Sequence, residues 1–145
     1  MTITARIPPN DFSCNNSPQW NTKPPIVICS QEDLNVPVNC SDPDGDSLFY
    51  FLCNVFHGGG KSNQQGSLNS PQPSPPGSPP YVIIPYSAPN TSSNPIPGNP
   101  PLSLNGQTGV LSGKVSVTGQ YVMVFCVEEW RNGILLNTIR RDYQF

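Results

Sequence analysis

The chain has little charge: of 145 residues only 11% are Asp, Glu, Lys or Arg, and the net charge is −2. So weak and slightly acidic a charge offers no basic field, which argues against nucleic acid and an anionic membrane surface as partners. There is a single histidine, His57. Any Ser/His/Asp or Cys/His nucleophile would depend on it, and it sits beside a glycine run with no patterned partner. No apolar run is long enough to cross a bilayer. No CxxC pair points to zinc or dithiol chemistry. No ten-residue window carries a helical stripe free of Pro, Gly or β-branched residues. The opening Met1 to Pro9 lacks an apolar core of signal-peptide length, so Met1 is expected to be an artificial or processed start.

Proline and glycine are plentiful, 19 and 12 respectively. That is the turn-rich composition of a β-sandwich. The length suits one domain with a real core. The predicted organisation is an extended lead-in over 1–15 and a single all-β sandwich over 16–145. A Pro-rich insertion lies at about 57–101, and twelve of the prolines fall between Pro71 and Pro101. Five cysteines in so uncharged a chain predict disulfides in an oxidising, extracellular setting, and the odd number leaves one without a partner in this chain.

The most informative stretch runs from Ser41 to Cys53. Asp42, Asp44 and Asp46 alternate with Pro43 and Gly45, making a tight, oxygen-rich turn. Such a turn is suited to a hard cation such as Ca²⁺, or to capping its own backbone N–H groups. It is not an EF-hand, because Gly45 stands fourth in the run and Cys53 twelfth. Leu48, Tyr50 and Leu52 then alternate with Phe49, Phe51 and Cys53, apolar on both faces, which predicts a strand central in its sheet.

Other strands follow from short-range pattern. Ile26 to Cys29 is predicted as a first strand. Leu34, Val36 and Val38 mark a half-buried second one, placed at an edge or bulge by Pro37. Tyr81 to Tyr86, Leu102 to Asn105 and Val110-Leu111 are short strands. Tyr121 to Trp130 and Ile134 to Phe145 form a hairpin through a type I′ turn at Asn132-Gly133. The count is about seven or eight.

With Leu48, Tyr50 and Leu52 facing the core, Cys53 faces away, and so does Cys126 when Tyr121, Met123 and Phe125 face inward. A cross-strand Cys53–Cys126 disulfide is then feasible, contributing about 2–4 kcal/mol. Two buried free thiols are the alternative. Cys14, Cys29 and Cys40 stay unassigned, Cys29 being the one expected to await a downstream partner.

Several motifs occur in order: Asn16-Ser17-Pro18, the Pro25 to Cys29 run, Asp42 to Tyr50, Thr108 to Gly113, Gly119 to Val122, Glu128 to Gly133 and Arg141 to Gln144. In this combination the chain resembles the cadherin-like, immunoglobulin-like (PKD-type, gliding-associated) modules of large Bacteroidetes surface proteins, over roughly residues 15–145. The resemblance implies export by type IX secretion and a place in a long multi-domain surface or secreted protein. It also strengthens the calcium expectation, with Glu128, Glu129 or Asp142 as further ligands. Members usually continue past the Arg-Asp-aromatic-Gln strand to another cysteine, whereas this chain stops at Phe145, which would account for the odd cysteine.

No catalytic constellation is found. Gly58 to Ser62 fails as a phosphate loop because Val55 stands where the first glycine is needed. Glu128 and Glu129, adjacent in a strand, point to opposite faces and cannot by themselves form a glycosidase pair. Tyr81, Tyr86 and Trp130 are candidates for a sugar-stacking surface, and equally for rim packing. The expected function is therefore a non-catalytic extracellular structural or adhesive module, whose partners are neighbouring modules or further copies. Two alternatives are a self-assembling fibre subunit built by strand complementation and a module binding a surface glycan or protein.

Overall fold

The computed structural model describes residues 14–57 and 79–145. Residues 1–13 and 58–78, which include the Gly58 to Ser62 run and the first half of the expected Pro-rich insertion, therefore lie outside the described part. Every regular element is a strand, and all pairings between strands are antiparallel. The strands are β1 (Gln19–Trp20), β2 (Asp33–Pro37), β3 (Cys40–Ser41), β4 (Ser47–Leu52), β5 (Val55–Phe56), β6 (Ile83–Ile84), β7 (Ser103–Leu104), β8 (Val110–Lys114), β9 (Val122–Arg131) and β10 (Ile134–Gln144). These ten, among the described residues, exceed the seven or eight expected because the short pairs β1–β3 and β5–β6 each form a small sheet of their own. Among the described residues no helix is long and apolar enough to cross a membrane.

Two three-stranded sheets, β10–β9–β4 and β2–β8–β7, share one apolar core, consistent with a β-sandwich. Val38, Leu111, Met123 and Phe125 fill it, with Ile96 and Leu102 supplied by the connection between β6 and β8. Alternation explains the membership. Met123, Phe125 and Val127 lie on one face of β9, and Leu34 and Val36 turn inward from β2, which has an eieie burial pattern of exposed and half-buried residues. Pro37 sits on β2, an edge strand of its sheet, where a missing N–H leaves no ladder bond unmade. Asn132 and Gly133 both take positive φ, 51° and 78°, as a type I′ turn requires, and the β9–β10 hairpin follows with a bulge between Leu135 and Asn137.

Two expectations are corrected. Ile26 to Cys29 is not a strand: Pro24 and Pro25 precede it without N–H donors, and Ile26 and Val27 are 83% and 76% exposed. Among the described residues β4 is an edge strand, and the centre of its sheet is β9. The apolar residues on both faces of β4 have different uses. Leu48, Tyr50 and Leu52 face the core, while Phe49 is 47% exposed on the other side. The free edge of β4 is met by a backbone bond from Tyr50 N–H to Gly106 O, 2.8 Å, which ties it to the loop after β7.

Tyr50 also fastens the small β1–β3 sheet. Its buried hydroxyl accepts from the Cys40 N–H at 2.9 Å and lies 3.3 Å from the Cys40 carbonyl oxygen. Burial pushes the unbridged Cys40 thiol up to about 12, so it behaves as an apolar core group.

Candidate functional site

The acidic turn delivers its carboxylates by local chain chemistry. Asp42 Oδ1 accepts the N–H groups of Asp44 and Asp46 at 2.9 and 3.0 Å, and Gly45 supplies the positive φ of 80° that closes the turn. One oxygen from each of Asp42, Asp44 and Asp46 lies within 4.8 Å of the others. The end of β9 brings Arg131 to them, because Ser47 at the start of β4 is in register with Trp130. Arg131 grips Asp46 through Nε and Nη2, both at 2.6 Å, and reaches Asp44 at 3.5 Å. It also donates to Asn15 Oδ1 at 2.9 Å. Asn16 holds Asp44 through its backbone and side-chain nitrogens at 2.5 and 3.0 Å. These donors lower the Asp46 and Asp44 carboxyls: Arg131 dominates at Asp46, and the two Asn16 bonds dominate at Asp44.

Glu129 completes the cluster. It lies two residues before Arg131 on β9 and is 0% exposed, with the Asn15 and Asn137 amides and the Asp46 carboxyl beside it. The outer oxygen of Asp42, Oδ2, is buried without a hydrogen-bond partner. Burial raises the Glu129 carboxyl, and the neighbouring Asp46 and Asp42 carboxylates push the same way against the Asn15 and Asn137 amides. Of the three further ligands that the family resemblance implied, Glu129 alone joins the turn. Glu128 points to the opposite face and accepts from Trp130 Nε1 at 3.1 Å, and Asp142 pairs with Val124, toward the other end of β9.

At that other end the chain is closed covalently. Cys53, just past β4, is bonded to Cys126 with a Cα–Cα distance of 6.0 Å across 73 residues of sequence. The two cysteines are on the face turned away from the core, as their alternation requires. That face is not open, however, since Cys126 is 3% exposed. Arg140, in register with Cys126, lies with its guanidinium 3.6 Å over the Phe56 ring, donates to the Asn54 carbonyl and comes within 3.8 Å of Cys53 Sγ. Phe56 in turn meets Tyr81 at 6.0 Å, and Tyr86 donates to the Val122 carbonyl at 3.2 Å. The described ends of the insertion thus cover the disulfide. Periodicity could not foresee this cover, which comes from a separate segment.

Tyr81 and Tyr86 therefore pack at the disulfide end of β9, with Trp130 at the opposite end near Arg131. Trp130 has a different neighbour, the exposed Phe49 of β4, and the two rings line one hollow together. Cys14 and Cys29 are exposed and unbridged. No family model, no curated protein and no solved structure matches the chain.

Proposed function

We propose that this chain is a non-catalytic extracellular module, structural or adhesive, of the cadherin-like and immunoglobulin-like kind that its motifs resemble. Its working part would be the β4–β9 strand pair. One observation carries the proposal: this pair is fastened at both ends, by Asp46 to Arg131 where β4 begins and by Cys53 to Cys126 where it finishes. Strands fastened at both ends resist sliding along each other, the property that a spacer or adhesive module under tension needs. The disulfide supports an oxidising location. The Bacteroidetes surface origin and type IX export belong to the same proposal and are supported by the motif resemblance alone.

Calcium is part of the proposal. The donor set is all oxygen, as Ca²⁺ prefers, and Asp42 Oδ2 is buried without a hydrogen-bond partner beside the buried Glu129 carboxyl. Asp44 and Asp46 would share their charge between the ion and Arg131. Such an ion would neutralise the buried Glu129 carboxylate and join β9 to the acidic turn more firmly. The test of the module as a whole is single-molecule stretching of the oxidised chain between its termini. High resistance that falls when the disulfide is reduced, and again when calcium is chelated, is expected. Unfolding at the force of an unclamped sheet would contradict the proposal.

The fibre alternative has one observation in its favour. β10 is an eleven-residue edge strand, with no strand on its outer side among the described residues. Light-scattering mass decides: large assemblies that vanish when residues 1–15 are removed favour the fibre, and a monomer favours the passive module.

A further inference from the structure

The outer face of β4 carries a surface that the clamp does not use. Two shallow, open hollows of about 540 and 560 Å³ adjoin at Phe49 and Gln107, the first on this outer face and the second along the edge of β4, where Tyr50, Leu52, Leu102 and Leu104 also line it. The first adds Trp130 and Glu128, and the second adds Phe51, whose ring stacks with Phe49 at 6.4 Å between centroids. The aromatic faces are held in place. Trp130 donates its indole N–H to Glu128, and the Phe49 ring lies against Gly106, where a Cβ would stand 2.6 Å from it. Gln107 is presented by a turn in which Asn105 Oδ1 accepts two successive N–H groups, both at 2.9 Å.

The geometry points to this groove as a binding site for a neutral glycan, with Phe49 and Trp130 as stacking faces and Gln107 and Glu128 as hydroxyl-binding groups. Aromatic rings present apolar faces to the C–H side of a sugar ring, and an amide and a carboxylate take its hydroxyls. Charge selects against polyanions, because Glu128 is the one charged residue in the lining. A peptide adding as an extra strand is disfavoured by the backbone: the Tyr50 N–H at this edge of β4 is already given to Gly106 O. The groove presents aromatic, amide and carboxylate side chains, the groups by which sugars are held. The site is independent of the acidic turn and of the disulfide.

The test is native affinity electrophoresis of the oxidised chain through gels containing soluble neutral polysaccharides: hydroxyethylcellulose, xylan, galactomannan, mixed-linkage β-glucan and starch, with alginate as the polyanion. Retardation by at least one neutral polymer and none by alginate is expected. Phe49→Ala and Trp130→Ala should each weaken it about tenfold or more, equivalent to roughly 1.4 kcal/mol. Gly106→Ala should weaken it by displacing the Phe49 ring, while Tyr81→Ala and Tyr86→Ala should not change it. Each variant is checked by its melting temperature, and Glu128→Gln serves as a second, nearly isosteric probe should Trp130→Ala fold poorly. No retardation by any neutral polymer overturns the proposal. So does retardation that survives both Phe49→Ala and Trp130→Ala, or that alginate produces equally.

Discussion

At one end of the β4–β9 pair, Cys53 and Cys126 are joined covalently beneath Arg140 and Phe56. At the other end, Asp46 and Arg131 meet at 2.6 Å beside the buried Glu129. The covalent end acts chiefly by restricting the unfolded chain, so salt and pH should hardly touch it. The ionic end acts in the folded state and should respond to both. The same strand pair thus carries one permanent fastening and one that its surroundings can tune.

Breaking the covalent end should have the largest effect. Replacing both cysteines, as Cys53→Ser with Cys126→Ser, opens a closed loop of 73 residues, and about 4 kcal/mol of stability should be lost on the chain-entropy argument. Denaturant unfolding measures this, and the loss should be the same at low and high salt.

Tyr50→Phe lies between the two ends and should cost about 1–2 kcal/mol, because the buried Cys40 N–H loses its partner. It leaves both fastenings intact, so it sharpens the comparison by showing what an ordinary buried bond contributes.

Asp46→Asn should cost less than the disulfide, and its cost should shrink in about 1 M salt, where the Debye length is about 3 Å. The acid limb carries the same information. Arg131 lowers Asp46 below its ordinary 3.8, so its contribution is present above that value and is lost as pH falls through the lower folded value. Asp46→Asn should flatten the acid limb of a plot of stability against pH. The Glu129 carboxyl is raised, so the opposite sign holds: its contribution is full below its ordinary 4.5 and is lost as pH rises through the folded value. Without calcium, Glu129→Gln should therefore stabilise the chain near neutral pH, a small effect visible as a higher melting temperature.

Much of the frame was legible because it depends on local chemistry. Asn132-Gly133 admits few turns besides type I′, Pro37 cannot sit in the middle of a sheet, and alternation placed Cys53 and Cys126 on one face. What was not legible depends on neighbours. Apolar residues on both faces of β4 predicted a central strand, but periodicity cannot distinguish a face covered by protein from one left open, as at Phe49. The adjacent Glu128 and Glu129 gave opposite faces without saying which one meets the acidic turn; register with β4 decides that. The residues around Arg131 do not name its partner, which the register of β4 with β9 supplies. Ile26 and Val27 have the apolar, β-branched character of a strand, yet they follow two prolines and lie exposed.

The most direct measurement is the melting temperature of the oxidised chain and of Glu129→Gln, each with millimolar calcium and after chelation. Calcium should raise the melting temperature of the unaltered chain by several degrees, more so as pH rises and Glu129 ionises, and should leave Glu129→Gln nearly unmoved. An equal shift in both, or no shift in the unaltered chain at any pH, would contradict the claim that the ionic end of the clamp is a calcium site.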